Sequence, residues 1–598
     1  MQRAIGIDLG TTKSVVAALR QGEPQAILNR GQSPLTPSAL SLGSAGEVLV
    51  GQAALERLPQ DPWQTVLSFK PLLGLGRTLA FNGLEYTPTE LAALLLAHLR
   101  DDAEAALGEP VGRAVLTVPA SFGLAQVAAL RQAAGLAGLF VWRVLRDPTA
   151  AALAHSISQP PAEAQTLLVY DMGGGCLDVG VLRLFRGALT VLGLAGESWL
   201  GGDDLTQSIV AHLLRRIQEE RGAHLDETLP ARHELRQALR QIAEQVKLAL
   251  STVDYARLWV PADALESLVP IDEVLTRAQF EEMIRPRLEE ALAVVERAVL
   301  AAGLPLRGID GVLPMGGCSQ VPLLQTLLAQ RLPQAHVVAG LNPLLGVAMG
   351  AAALTGMLSE VTCPTCRLAH PLEAQACRRC GTPLAGQARL ACPRCFLPND
   401  PARETCWKCE RSLRSARLPR RVRARRPQTC PRCQSSVAGE RAVCPACHAP
   451  LGERAPAGLR CGHCGQVQEA GAASCARCGE LVAPFVGQVS TRALGAALAD
   501  GRMDVILPAG LGLPTQKPAR RELRTSEQGQ RTLELPLCEG ERPWARENQP
   551  AGTLRLGLPE GLPAGSTVRV DFGFDADGTV TVTATLADGS DVDAWAEY

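Results

Sequence analysis

The sequence predicts a multidomain protein of mixed class: an α/β region first, four small zinc-binding modules in the middle, and an antiparallel β region last. Three observations lead there. First, AIGIDLGTTKSVVAAL (Ala4–Leu19) and VYDMGGGCLDVGVL (Val169–Leu182) share one design: an apolar run ending near an aspartate, a glycine-bearing turn, and a second apolar run. Second, 16 of the 19 cysteines lie between Cys363 and Cys478. Third, from Val505 onward apolar and polar residues alternate with the period of a half-buried strand.

A chain of 598 residues is too long for one core, and roughly three to five domains are expected. A composition of 46% hydrophobic and 20% charged residues is that of soluble globular protein, and a net charge of −1 exerts no overall pull toward nucleic acid or an anionic membrane. The longest apolar stretches, near Leu91–Leu99 and Gly346–Leu358, fall short of the roughly 18 residues that span a bilayer. The opening MQRAIGIDLG meets an aspartate at once, unlike a signal peptide, so a cytoplasmic protein is expected. Cysteine usage divides the chain into 1–358, 359–482 and 483–598.

In the first region Asp8 and Asp171 occupy equivalent points of an internal duplication. Two such hairpins facing across a cleft could hold a polyphosphate on backbone N–H groups, with the aspartates reaching water-bound Mg²⁺. A plain β-turn explains either hairpin alone; the matched pair favours the phosphate reading. Two more double-glycine turns suit the same cleft. Gly201 and Gly202 precede an amphipathic helix, and Gly316 and Gly317 lie between a strand and a helix N-terminus, where an anion is welcome. A generic strand-to-helix turn explains either equally well. LRQALRQIAEQVKLALS reads as a helix with Leu235, Leu239, Ile242, Val246 and Leu250 on one stripe.

The ordered series GIDLGTT, AVLTVPASF, DPTAAALAH, VYDMGGGCLDV, LGGDDL, AEQVKLALS, MGGCSQVP and NPLLGVAMGAA resembles the actin-like ATPase domain of the seventy-kilodalton heat-shock chaperone family over residues 1–358. That resemblance implies two α/β lobes with ATP or ADP and Mg²⁺ between them. It implies that Asp8 and Asp171 flank the Mg²⁺. Phosphate would rest on Gly10, Thr11, Thr12, Gly173, Gly174, Gly175, Gly201 and Gly202. Lys70, in SFKPLLG, falls where the family keeps the lysine that positions the γ-phosphate and the attacking water. Glu244, Lys247 and Ser251 match the adenosine-binding helix, and Gly316, Gly317 and Cys318 the turn beneath the nucleoside. Lysine is scarce, with Lys13, Lys70, Lys247, Lys408 and Lys517 the only five, and a compact point charge suits a phosphate site.

Several positions depart from the family. Cys176 replaces a threonine in the second phosphate turn, and Asp147 a glutamate that supports the Mg²⁺ shell. Cys318 and Gln320 replace serine and arginine of the adenine turn, Leu344 and Leu345 an acidic pair, and Val127 an arginine associated with relaying nucleotide state. A thiol is a weaker hydrogen-bonding group than a hydroxyl, and one lost bond of about 1–3 kcal/mol would slow a reaction roughly tenfold to a hundredfold. A weak ATPase is expected.

In the middle region the cysteines form four repeats of C-x₂-C-x₁₀-C-x₂-C: Cys363, Cys366, Cys377, Cys380; Cys392, Cys395, Cys406, Cys409; Cys430, Cys433, Cys444, Cys447; and Cys461, Cys464, Cys475, Cys478. Each repeat supplies four thiolates, the tetrahedral set for one Zn²⁺, and the metal replaces a core that so short a segment cannot build. CPACH (Cys444–His448) also matches a haem-attachment motif, but that pair belongs to the evenly spaced set. The ribbons could bind nucleic acid or protein, sense zinc or redox state, or act as a spacer. The arginine run at 411–426 reads as a solvated linker or as a contact for nucleic acid or an acidic partner. Few aromatics accompany it, Phe396 and Trp407 being the main ones, which weakens the nucleic-acid reading.

In the last region TLELPL, TLRLGL, VRVDFGF and VTVTAT predict an antiparallel sheet or sandwich, with DADG as a hairpin turn. Val505–Asp588 resembles the chaperone's β-sandwich peptide-binding domain, which implies unfolded polypeptide clients and co-chaperone partners. The family's helical lid has no counterpart in the residues up to Tyr598, and its acidic-leucine linker is not recognisable, so rapid client exchange and altered coupling are expected. Taken together, the sequence predicts an ATP-binding chaperone; the alternative is a non-refolding nucleotide-binding scaffold or zinc/redox sensor on the same frame.

Overall fold

The structure, a computed structural model, describes residues 3–597 except 43–46, 82–83, 162, 186–187, 222–229, 262–270, 366–367, 388, 393, 414–427, 430–435, 438–457, 462–463, 465, 470–471, 473 and 479–484. The third ribbon's cysteines (Cys430, Cys433, Cys444 and Cys447), Cys366 of the first ribbon and most of the arginine run lie outside the described residues.

The predicted duplication is real in three dimensions. One sheet runs Phe140–Arg146, Val111–Val118, Arg3–Asp8, Lys13–Arg20, Glu23–Ala26, with Thr36–Pro37 also on Lys13–Arg20. The other runs His336–Val337, Gly311–Met315, Gln165–Met172, Leu177–Phe185, Ala188–Glu197, Phe485–Val489, Gly512–Leu513. In each, the aspartate-bearing strand turns back on itself as an antiparallel hairpin and pairs in parallel on its other side with a strand from much later in the chain. Gly6 lies opposite Ala17 and Val115; Val169 lies opposite Gly180 and Leu313. Parallel neighbours need crossovers, and helices supply them.

Two helices, Asp147–Ser158 and Gly346–Met357, pack against one another between the sheets, and both are built from small residues. A Cβ on Gly350 would lie 1.8 Å from the carbonyl oxygen of Ala150, and one on Gly6 would lie 2.2 Å from the Ala352 nitrogen. DPTAAALAH and NPLLGVAMGAA are therefore poor in bulk because backbone passes backbone here. The predicted amphipathic helix spans Pro230–Leu250 and buries Leu239, Val246 and Leu250 against the core of the second lobe.

The first, second and fourth ribbons pack onto this two-lobed body instead of standing off as spacers. In the first, Arg113, 2% exposed on strand Val111–Val118, gives its guanidinium to the carbonyls of Leu384 (3.2 Å), Ala374 (2.8 Å) and Leu372. The second shares the core of the first lobe through Cys392, Cys395, Leu397, Cys406 and Leu413. The fourth meets the Gln21–Glu23 turn, where Arg460 N–H donates to Gly22 (2.8 Å), and its Leu459 and Cys461 join a cluster with Leu19, Leu184 and Leu189 from both sheets.

The C-terminal strands differ from the expected two-sheet sandwich. They form one eight-stranded antiparallel sheet in the order Met503–Leu507, Leu494–Ala497, Thr532–Glu539, Gln549–Gly557, Asp591–Glu597, Val580–Leu586, Thr567–Phe574, Ala519–Arg524. The physical reason is the strand Asp591–Glu597, which pairs with Gln549–Gly557 on one side and Val580–Leu586 on the other, joining the halves. The outer strands meet through a side chain, Arg521 donating to Asp504 (2.8 Å) and to the Val505 carbonyl (2.7 Å). The result is a nearly closed barrel around Leu494, Leu554, Leu556, Val568, Val570 and Phe572.

The barrel sits on the first lobe. Asp577 accepts from Arg143 (2.8 Å) and Arg131, and Glu539 accepts from the Leu124 N–H (2.7 Å) at the start of helix Leu124–Leu136, a favourable place for a carboxylate. Arg492 donates to the Ser121 carbonyl at 2.8 Å. The strand Phe485–Val489, which leads into the barrel, pairs in parallel with Ala188–Glu197 of the second lobe.

Candidate functional site

The hairpin turns of both lobes open into one cleft. Asp8, Gly10, Thr11, Thr12, Lys70, Asp147, Asp171, Gly173, Gly174, Cys176 and Gly202 line its inner end, and Glu244, Lys247, Ser251, Gly316, Gly317 and Cys318 its outer end. Of the expected phosphate residues, Gly175 and Gly201 sit behind the wall. A Cβ on Gly175 would lie 2.5 Å from Thr11 Cγ2, and one on Gly201 2.6 Å from the Gly174 carbonyl oxygen, so both are small to let the turns touch. LGGDDL has a bracing role: Gly202 N–H donates to Gly173 (2.9 Å) and Asp203 N–H to Gly174 (2.6 Å), holding the second turn. Gly316 has φ +75°, and a Cβ there would meet the Met172 carbonyl at 2.3 Å, which requires glycine.

Electrostatics mark the inner end. Asp8 ends its strand; Asp171 lies directly opposite Asp178 across the second hairpin; Asp147 begins the helix Asp147–Ser158. These carboxylates surround one ammonium, Lys70, 3% exposed and 3.9 Å from Asp147. Burial, then the charge of Asp147, pushes Asp8 up to about 7; the same two causes push Asp178 up to about 7. Burial followed by neighbouring aspartates raises Asp171, and burial raises Asp147 against the pull of Lys70. Burial works to lower Lys70, but the charge of Asp147, with that of Asp8 and Asp178, outweighs it and its proton is held more tightly than usual. Burial first, then Asp178, drives the Cys176 thiol well up, so it stays neutral.

Once deprotonated, the four carboxyl groups outnumber the one ammonium beside them, and Asp147 Oδ1 is buried without a hydrogen bond. Hard oxygen donors with unmet charge are what Mg²⁺ takes, usually through water. Asp178 is the member that motif reasoning missed. It is the second aspartate of VYDMGGGCLDV, anchored by the Ala120 N–H at 2.5 Å, and the hairpin register could have pointed to it.

At the outer end Lys247 is committed to protein groups: the Gly202 carbonyl (3.0 Å), Thr206 (2.9 Å) and Glu244 (2.7 Å). Burial resists the charge on Glu244, but Lys247 and Thr206 more than offset it and hold the carboxyl below its usual range. Leu248, Val321, Pro343 and Leu344 complete an apolar wall there. Over the top, Ser68 donates to Asp203 (2.8 Å) and Arg240 pairs with Asp203 (2.9 Å), bridging the lobes.

The ribbon cysteines gather as their spacing requires. Cys392, Cys395, Cys406 and Cys409 form one cluster, Cys461, Cys464, Cys475 and Cys478 a second, and Cys363, Cys377 and Cys380 a third, each with all sulfurs within 4.8 Å. Contacts such as Cys392–Cys409 and Cys395–Cys406 at 3.5 Å are far longer than a disulfide's roughly 2.05 Å. They approach the edge of a tetrahedron with metal–sulfur bonds of about 2.3 Å. Backbone N–H groups of Arg379, Arg394, Lys408 and Arg477 each point at a cysteine sulfur from 3.4 Å, the arrangement that stabilises a metal thiolate. These clusters could hold metal ions.

A family profile described as Hsp70 protein matches residues 4–81 and 75–365, more than half of the chain. The members of that family bind ATP and ADP with Mg²⁺ between two actin-like lobes and act on unfolded clients with co-chaperones, which is the architecture of the cleft just described. The chain therefore belongs to the Hsp70 family, with a nucleotide-binding, chaperone-type function.

Proposed function

We propose that this protein is a slow Mg²⁺-dependent ATPase whose nucleotide state governs the engagement of unfolded polypeptide or a protein partner. The observation that carries the reading is the shared cleft, where two glycine hairpins, four aspartates (Asp147 and Asp178 buried, Asp8 and Asp171 half-buried) and Lys70 converge. Thr11, Thr12 and the turn amides would cradle phosphate. Asp8, Asp147, Asp171 and Asp178 would hold Mg²⁺ directly or through water, and the ion would neutralise charge on the phosphates. Lys70 would stabilise charge on the transferred phosphoryl group and orient the attacking water. A neutral thiol at Cys176, where a hydroxyl would hydrogen-bond better, keeps turnover low.

Coupling to the barrel has a short route. The loop Pro119–Gly123 gives the Ala120 N–H to Asp178 in the cleft and the Ser121 carbonyl to Arg492 of the barrel. Arg146, immediately before Asp147, is half-buried and donates to the Pro119 (2.8 Å) and Phe122 (3.0 Å) carbonyls of the same loop. Movement of the aspartates on nucleotide binding is thereby felt where the barrel docks. The four cysteine sets would hold structural Zn²⁺, and a reducing cytoplasm suits their thiolates. No helix among the described residues is long and apolar enough to cross a membrane.

The test is titration calorimetry of the zinc-loaded chain with ATP and Mg²⁺, followed by release of a fluorescent unfolded client on ATP addition. Binding with ATP-dependent release supports the proposal; binding with no effect on the client leaves the scaffold or sensor reading in its place, and no binding removes the ATPase.

A further inference from the structure

The second ribbon does more than sit on the first lobe. Cys392, Cys395, Leu397, Cys406 and Leu413 belong to the same buried cluster as Phe69 and Leu73, which flank Lys70, and as Leu91 and Leu95 of helix Pro88–Leu107. That helix also abuts the Lys70–Leu72 turn. Tyr86, 1% exposed, donates its hydroxyl to the Cys395 carbonyl at 3.2 Å. Glu90, 5% exposed, caps the helix by accepting from the Thr87 N–H (2.7 Å), and its charge is balanced by Lys408 at 2.9 Å. The backbone N–H of that same Lys408 points at Cys406 Sγ from 3.4 Å, so the residue that neutralises Glu90 is part of the metal knuckle.

We propose that the Cys392–Cys395–Cys406–Cys409 metal site is an allosteric partner of the nucleotide cleft, its occupancy and Mg²⁺–nucleotide affinity being thermodynamically linked through the core beneath Lys70. A ribbon of this length has no core of its own without metal. On metal loss Leu397 and Leu413 leave the cluster, Tyr86 and Glu90 lose their contacts to the ribbon, and the packing that holds Phe69 and Leu73 on either side of Lys70 loosens. Linkage is reciprocal: a nucleotide that orders the Lys70 segment must also tighten the metal. The inference rests on the nucleotide reading of the cleft.

The experiment uses the full chain loaded with Zn²⁺. Metal transfer to a chromophoric chelator is followed with and without ATP and Mg²⁺, nucleotide affinity is measured by calorimetry, and hydrogen exchange is read over residues 69–73 and 88–96. Cys406→Ser, which removes one zinc equivalent, is expected to weaken nucleotide binding on the order of tenfold and to speed exchange in both segments. Lys408→Met keeps all four thiolates; its zinc content stays at the wild-type level while nucleotide loses its slowing effect on metal transfer. The proposal is overturned if Cys406→Ser loses its zinc yet keeps nucleotide affinity and exchange protection, or if ATP leaves metal transfer from the wild-type chain unchanged. Should the loaded wild-type chain bind no nucleotide at all, the cleft reading itself fails and the linkage goes with it. Intact binding without linkage rejects this inference alone.

Discussion

Replacing Lys70 with methionine removes the single ammonium from the aspartate cluster while keeping the shape of the side chain. In the structure Lys70 Nζ lies 3.9 Å from Asp147 and is almost wholly buried. At that separation and an effective dielectric of about 20, each full charge pair is worth about 4 kcal/mol. Dehydrating the ammonium opposes this by several kcal/mol. The attraction is the larger, because the Lys70 proton is held more tightly than in water. The charge is therefore present at every working pH, and in the proposed reaction it would face the developing phosphoryl charge. Loss of one such preorganised group lowers the chemical step by about 10²–10³-fold, or about 3–4 kcal/mol. Nucleotide affinity should change less, since the hairpin turns and the aspartates remain. Single-turnover hydrolysis with enzyme in excess separates the chemical step from binding, and calorimetry with the same preparation supplies the affinity. A Lys70→Met chain that binds ATP and hydrolyses it within about threefold of wild type would refute the assignment of the chemistry to this cleft.

Cys176→Thr restores a hydroxyl to the second turn and should raise single-turnover hydrolysis roughly tenfold to a hundredfold; an unchanged rate would place the slow step elsewhere. In the presence of a chelator, the raised pKa of Asp8 and Asp178 makes folding stability pH-dependent. Each moves from 3.8 to about 7, so the stabilising protonated form is fully present below about 3.8 and is lost as pH rises through about 7, a change of about 4 kcal/mol for one carboxyl. Thermal unfolding midpoints should fall across that window, and Mg²⁺ should reduce the fall; a flat profile would show that the aspartates do not share a buried cluster. Asp577→Ala leaves Arg131 and Arg143 without their shared acceptor and should weaken barrel docking by about 2 kcal/mol. Small-angle scattering that stays as compact as wild type would show that this contact does not hold the barrel.

Much of the candidate site was legible because its determinants are local. A turn that touches another backbone needs glycine, and a tetrahedral metal needs four thiolates at close spacing. Asp8, Asp171 and the cysteine sets could therefore be named from the sequence. Asp178 was harder, since its place in the cluster depends on the hairpin register that sets it opposite Asp171. Gly175 and Gly201 carry the same sequence signal as Gly173 and Gly174, and only the fold shows that a Cβ on either would press into the neighbouring turn.

The linear chain determined which chemical groups are present: paired aspartate hairpins, a few scarce lysines, repeated thiolate sets and period-two strands. Only the folded molecule decided where these parts meet. Lys408 and Glu90 are 318 positions apart, and Arg113 finds its carbonyl acceptors some 260 to 270 positions later. Such pairs leave no periodicity or spacing to read, because burial and charge balance select partners in space. The barrel closed for the same reason: the alternation of every strand was visible, but whether Asp591–Glu597 would join two sheets into one is a matter of packing.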